Sequence, residues 1–566
     1  MKPTTNMIWH ICKKDLKLLW PFVLGAAGIQ VTSAGLCYAM DHIRVTEALL
    51  NISNLLQLGA LLASALLIAT VVHLDAIPGV RQDWLVRPLS RRDLLLAKVL
   101  FVLLLVHGPI LLTDTMEGLL NGFPVGQSLT AAASRSLYLL LGLSLPVLAF
   151  ASLTRNMAEL VIGAVLGSLG FVLFKLFINL INNYGEIGPV MATGLSWIRE
   201  STMFAVAVVG SSTVLAIQYF RRKTIRARWL MAVAGFVFLL GHTVPWHFAF
   251  AVEQRLSPNP GAGRAITAIF DPSGSKFRLP EGLNHNSWFR AGGLTRDEGS
   301  TIYLPIRVAG LAESTVLNAD RAEVLLTTSD GKMVYQGRAD DLLVRKDSNL
   351  EPVSFNIGLR PMGWREIGPA DMAVPKNFVP GSGEALVYQG LPIPRHLYER
   401  IKDQPLRLEI NYSLTLLDSS SYSIPALGGD MLIPKFGHCR TQMDDDGDDV
   451  QLRCIQAGGE SNCVAFFLEH APSGRQNPIR FGCWPNYSPY SAQYTPDSLT
   501  RFEGAVPFRD LSGLAKYPVD AAKLPESRVV LRIYQPQEHF TRRLVIPEIH
   551  LSDWESLEHD REVASR

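Results

Sequence analysis

At 566 residues the chain exceeds the size of a single domain, and its formal net charge of +2, with no long basic stripe outside a few short loops, excludes a nucleic-acid binder. Apolar residues make up 48% of it and crowd into the first 250 positions, which excludes an ordinary soluble protein. The remainder is of mixed polarity and long enough for one or two soluble domains with cores of their own.

From the N-terminus, apolar runs near the ~20 residues that a helix needs to cross a lipid core occur at 21–40, 55–73, 94–112, 137–153, 158–178, 202–219 and 229–246. Seven transmembrane helices are therefore expected within a domain spanning 1–250. The first is no cleaved leader, because no small-residue cleavage pattern follows it. Basic residues alternate between the connecting segments. Lys2, Lys13, Lys14 and Lys17 precede the first span, and Arg81, Arg87, Arg91 and Arg92 lie between the second and third. Arg155 lies between the fourth and fifth, and Arg221, Arg222, Lys223, Arg226 and Arg228 between the sixth and seventh. The other loops hold Arg44, Arg135 and Arg199 alone. Basic loops stay in the cytoplasm, so the N-terminus is expected inside and, after an odd number of crossings, everything past 250 outside the plasma (inner) membrane.

Ionisable residues within spans are functional hypotheses by default. Lys98 and Lys175 lie within a few residues of span ends, and snorkelling to the interface accounts for both. Glu159 is expected at the interface. Asp114 and Glu117, three apart at the end of the third span, are expected as solvated loop acids. His107 precedes Gly108 and Pro109, and Pro146 interrupts the fourth span, so both regions are expected to kink.

Between the second and third spans runs "IPGVRQDWLVRPLSRRDLLLAKVL", an amphipathic stretch with an aromatic residue and paired arginines. Ser90, with Asp93 three residues on, reads as the N-cap of a helix leading into the third span. Together with the N-terminal "WHICKKDLKLLWP", this segment and the hydropathy layout over residues 1–225 resemble the membrane-spanning subunit of ABC-2 type transporters. The resemblance implies that Asp83, Trp84, Arg87, Pro88, Arg91, Arg92 and Asp93 form the surface that couples to a separate cytoplasmic ABC ATPase subunit. It also implies a second copy of this permease, or a related permease, as a partner in the membrane lipid. A seventh span and a large outer domain depart from the family's usual six spans. No G-x-x-x-x-G-K-[ST] loop occurs, so ATP must be hydrolysed elsewhere. With no H-E-x-x-H or G-x-S-x-G either, neither a cofactor nor an enzymatic activity of the chain itself is expected. The rival reading is a membrane-anchored sensor or scaffold whose outer domain binds a ligand.

Residues 251–300, rich in Gly and Pro, read as an irregular linker. Short runs of Val, Ile, Leu, Thr and Tyr then follow, separated by turn signals such as Asp330-Gly331, and read as an all-β region of one or two β-sandwiches. A division into modules 301–425 and 426–566 is expected at "SIPALGGD". Cys439, Cys454, Cys463 and Cys483 fall in the second module, as suits an oxidising compartment. If Asp446 and Gly447 are the central residues of a hairpin, residues whose numbers sum to 893 face one another. That pairs Cys439 with Cys454, and Cys463 with Cys483 by elimination. The acidic turn "DDDGDD" lacks the ligand spacing of a calcium loop and reads as a solvated hairpin tip; no metal is expected.

Overall fold

The computed structural model describes residues 5–42, 47–75, 90–184, 196–221, 223–241, 245–274, 302–312, 315–339, 342–344, 383–391, 393–434, 436–443, 447–457, 463–470, 473–476, 480–483, 499–508 and 519–555. The chain falls into two compact units, one built mainly on Met1–Trp246 and one on most of the chain from His247 onward.

The first unit is helical. Its elements are α1 (Thr5–Met40), α2 (Glu47–His73), α3 (Arg91–Phe101), α4 (His107–Leu120), α5 (Val125–Leu139), α6 (Leu145–Ala151), α7 (Met157–Tyr184), α8 (Ser196–Ala216) and α9 (Thr224–Leu240). Single-turn π-helical segments join α3 to α4 (Val102–Val106) and α5 to α6 (Leu140–Ser144), and a third, Ile217–Arg221, extends α8. Among the described residues six continuous helices are long and apolar enough to cross a membrane: Met7–Met40, Asn51–His73, Arg91–Leu120, Val125–Ala151, Met157–Phe174 and Ser201–Arg221. Leu24, Leu55, Leu112, Ile162 and Leu166 stand exposed on these helices, and none of α7's apolar window is buried within the protein. Water would make so continuous an apolar surface prohibitive, whereas hydrocarbon satisfies it, and the helix satisfies its own backbone. The seventh expected span corresponds to α9, whose 17 residues cover about 25 Å at 1.5 Å per residue, short of the ~30 Å lipid core.

The second unit opens with α10 (Trp246–Arg255) and, among the described residues, is otherwise almost entirely β. β1 (Thr267–Phe270), β2 (Ile302–Leu311), β6 (Gly383–Leu391) and β5 (Leu342–Val344) form one four-stranded sheet in the order β1-β2-β6-β5. A second, in the order β14-β10-β9-β8, contains β8 (Asp430–Ile433), β9 (Gly437–Met443), β10 (Asp449–Ala457) and β14 (Leu499–Pro507). The third has seven strands: β12 (Arg475–Gln476), β11 (Cys463–His470), β15 (Ser527–Ile549), β7 (Leu406–Pro425), β3 (Thr315–Thr328) and β4 (Met333–Arg338) in that order, with β13 (Arg480–Cys483) also paired to β11. One short helix, α11 (Arg395–Ile401), precedes β7.

β7 and β15 pair along almost their whole lengths and serve two cores. Leu406, Leu408, Ile410 and Leu414 of β7 join Phe540, Leu544 and Ile546 of β15 and residues of β2 in one cluster. At their other halves Ile424, Val529, Leu531 and Ile533 join Cys439, Val450, Leu452 and Phe502 of the second small sheet. The inward residues of β15 change from odd to even numbers between the two cores because a bulge between Pro536 and Glu538 inserts one residue. The division expected at 425/426 thus runs through a sheet that joins strands from both sides of it.

Among the described residues, β11 flanks β15 only as far as Tyr534. Past that point the segment after α10 lines the edge of β15. Asn259 N–H donates to the Gln537 carbonyl at 2.9 Å, and His539 N–H donates to Ser257 Oγ at 3.0 Å. The Glu538 carboxylate accepts from Gly261 and Gly263 N–H, and the Arg542 guanidinium donates to the Ile266 carbonyl at 2.8 Å. An edge so covered presents no template for strand addition.

Candidate functional site

The expected coupling segment begins directly after α2 and ends at α3. Asp83, Trp84, Arg87 and Pro88 lie outside the described residues. Ser90, Arg91, Arg92 and Asp93 start α3 as the capping pattern requires: Ser90 is extended (ψ 139°) and its hydroxyl accepts from Asp93 N–H at 3.1 Å. Arg91 and Arg92 are exposed. Arg91 reaches the Phe220 carbonyl at 3.5 Å and the Arg92 guanidinium lies 5.9 Å from the centre of the Phe220 ring, so both grip the π segment that ends α8. Asp93 points inward and is buried, with one carboxylate oxygen outside any hydrogen bond.

Lys98 corrects the snorkelling reading. Its side chain has no exposure; its ammonium donates to Asp15 of α1 at 2.8 Å and to Asp75, just past α2, at 2.6 Å. Lys14 closes the cluster, 3.3 Å from Asp75 and 3.2 Å from the other oxygen of Asp15. Two cations and two anions give a neutral set, and that is what permits burial: an isolated ammonium there would lose its hydration without recompense. The contacts tie α1, the end of α2 and α3 together at the residue where the expected coupling segment begins. One turn and a half before Lys98, Asp93 stands where that segment ends. Asp15 was not singled out in the sequence, although an acid amid an otherwise basic N-terminal stretch was the available signal.

Polar contacts extend this end of the bundle to its other helices. His73 of α2 pairs its Nε2 with Thr154 Oγ1 at 2.9 Å; Gln218 donates to the Ser152 carbonyl at 3.0 Å; Arg228 of α9 donates to the Leu153 carbonyl and to Glu159, both at 2.8 Å. Glu159 is half-exposed. Lys175 lies on α7, within its last turns.

A second polar set lies on one face of α4, where His107, Asp114, Glu117 and Asn121 recur at helical spacing and are all buried. The expectation that Asp114 and Glu117 are solvated loop acids is therefore overturned: α5 packs over them, and Arg135 donates to Asp114 at 2.5 Å. His107 bonds Ser144 at 2.9 Å and Ser136 at 3.2 Å. His107 follows one π segment and Ser144 ends another, so two local departures from α geometry meet at one hydrogen bond.

In the second unit β9 and β10 pair in the register whose numbers sum to 893, with Val450 opposite Met443 and Cys454 opposite Cys439. Cys439 and Cys454 are joined by a disulfide, and Gly447 supplies the positive φ (70°) that the turn demands. The β11–β13 register sets Cys463 directly across from Cys483. Asp444, Asp445 and Asp446 of the acidic turn lie outside the described residues. No group of three or more His, Cys, Asp or Glu able to hold a metal occurs among the described residues.

No known protein family, curated protein or solved structure matches the chain.

Proposed function

We propose that the chain is the membrane-spanning subunit of an ATP-driven transporter of the ABC-2 type, working with a separate cytoplasmic ATPase and a second permease copy or a related permease. The observation that carries this reading is the buried Lys98–Asp15–Asp75 cluster. A segment that received force from a partner would need a rigid attachment to the spans, and this cluster fastens three helices together where the segment leaves α2. Exposed Arg91 and Arg92, with their grip on the π segment of α8, supply a charged surface beside it. In this reading α9 is a tilt-free or locally thinned seventh crossing, the N-terminus is cytoplasmic, and the β unit is extracytoplasmic, where its disulfide is chemically at home.

Gentle extraction of the tagged chain from its native membrane tests the reading. An ABC ATPase is expected to co-purify, and reversing both charges (Arg91→Glu with Arg92→Glu) is expected to reduce its recovery several-fold without lowering the amount of the chain itself. Recovery of no ATPase would favour the anchored sensor or scaffold, which the size of the β unit also supports.

A further inference from the structure

On β7 the even-numbered residues from Leu406 to Leu416 face the first core, yet odd-numbered Thr415 is buried as well. It lies on the opposite face, where α10 packs. Thr415 is register partner to Asn318 of β3 and to His539 of β15, and Asp320 occupies the extra position of a bulge between Ala319 and Arg321. The Thr415 hydroxyl is hydrogen-bonded to the Asp320 carboxyl and lies 2.8 Å from His539 Nδ1. Asn318 donates to the other Asp320 oxygen at 2.6 Å. Beyond His539 stands α10: the Phe250 ring meets the imidazole edge-on at 6.3 Å, and a Glu253 oxygen lies 3.6 Å from Nδ1.

A hydroxyl has one proton to give, and this one stands between a carboxyl and an imidazole nitrogen. We propose that Asp320, Thr415 and His539 form a proton-set relay whose direction determines what His539 presents to Glu253 on α10. With Asp320 protonated, its O–H donates to Thr415, Thr415 donates to Nδ1, and His539 keeps its proton on Nε2. Loss of one proton reverses the chain: Asp320 passes its proton to Thr415, Thr415 passes its own to Nδ1, and Nε2 releases the proton that leaves for solvent, so that Thr415 now donates to the carboxylate and His539 Nδ1–H donates to Thr415. The imidazole stays neutral in both arrangements. Nδ1 is directed at Thr415 in both, but it is electron-rich in the first and carries an electropositive N–H in the second; the Glu253 carboxylate 3.6 Å away is repelled by the one and attracted by the other, so α10 is held more firmly in the second.

Among the described residues, the titratable groups at the relay are Glu253 from α10, Asp320 from β3 and His539 from β15, and β7 contributes none, while His247 of α10 lies 3.6 Å from Glu323 of β3. Arg321, beside Asp320, is engaged with Glu323 at 3.0 Å. Burial, outweighing the hydrogen bonds from Thr415 and Asn318, pushes the Asp320 carboxyl up to about 7. Burial pushes His539 down to about 4, which keeps the imidazole neutral throughout the neutral range. The signs differ by scale. A carboxyl with a raised pKa gives stability to the whole fold that is lost as pH rises toward 7, because the folded state keeps the proton longer than the unfolded chain. The hold on α10 moves the other way, strengthening as pH rises through 7.

Hydrogen exchange of the full-length protein in detergent, corrected for the intrinsic pH dependence of exchange, tests the relay. Protection of residues 247–257 is expected to rise several-fold as pH passes about 7, while an infrared band of a protonated carboxylic acid disappears over the same interval. Asp320→Asn is expected to lack both changes. Thr415→Val is expected to keep the carboxyl titration but lose the step in α10, and it serves where Asp320→Asn does not fold. A step that persists in either variant, a step of opposite sense, or flat exchange in the parent protein would overturn the relay. None of these readouts involves an ATPase, so they stand or fall apart from the transporter reading.

Discussion

Lys98 is long enough to snorkel and close enough to a span end to do so, yet its ammonium is buried between Asp15 and Asp75. A buried ion pair is a weak source of net stability, but breaking one is costly because the partner charge stays behind without compensation. Lys98→Met is therefore expected to lower stability by about 3–5 kcal/mol. Neutralising the acids as well, with Asp15→Asn and Asp75→Asn, is expected to restore most of it. Thermal unfolding in detergent reads both, and a Lys98→Met variant as stable as the parent would show that the cluster bears no weight. Lys98→Arg separates charge from shape, since a guanidinium keeps the charge but spreads its donors over a wider fork.

At the scale of elements, the hairpin of β9 and β10 was legible in advance and the helix breaks were not. The expected turn centred on Asp446 and Gly447 implied one register for both strands; the pairing has that register, and it sets Cys439 against Cys454. The same reasoning applies to Cys463 and Cys483, opposed on β11 and β13. Reduction is expected to shift electrophoretic mobility, and the shift is expected to vanish in a Cys439→Ser, Cys463→Ser double variant; a shift unchanged in that variant would reject the pairing. Losing the Cys439–Cys454 bond, which closes a separation of 15 residues, is expected to cost about 3 kcal/mol. The π segments had no comparable signal. Gly108, Pro109 and Pro146 marked both regions as kinked, but the extra residue in each turn is stabilised by what lies across from it, here the bond between His107 and Ser144.

Over the whole molecule, the decisive quantity is the number of crossings. Seven crossings put the β unit on the side opposite the N-terminus, whereas six return it to the same side. Cysteine introduced at an exposed β-unit position such as Leu432 is expected to react with a membrane-impermeant maleimide in intact cells whose outer barrier has been opened. Reaction only after lysis would mean an even count and would retire the extracytoplasmic assignment.

What the sequence determined by itself is whatever depends on neighbours along the chain. Hydropathy over some twenty residues selects lipid over water, Ser90 caps α3, and Gly447 turns a hairpin, because each is settled within a few residues. The tertiary structure decided what depends on distant groups. Lys98 meets Asp15 from 83 positions away, and Thr415 meets His539 from 124. The alternating patterns of β7 and β15 are those of any strands, and only their pairing merges the expected modules into one sheet. Burial of a charge or a hydroxyl is favourable only when its partner arrives, and no local pattern records the partner's arrival.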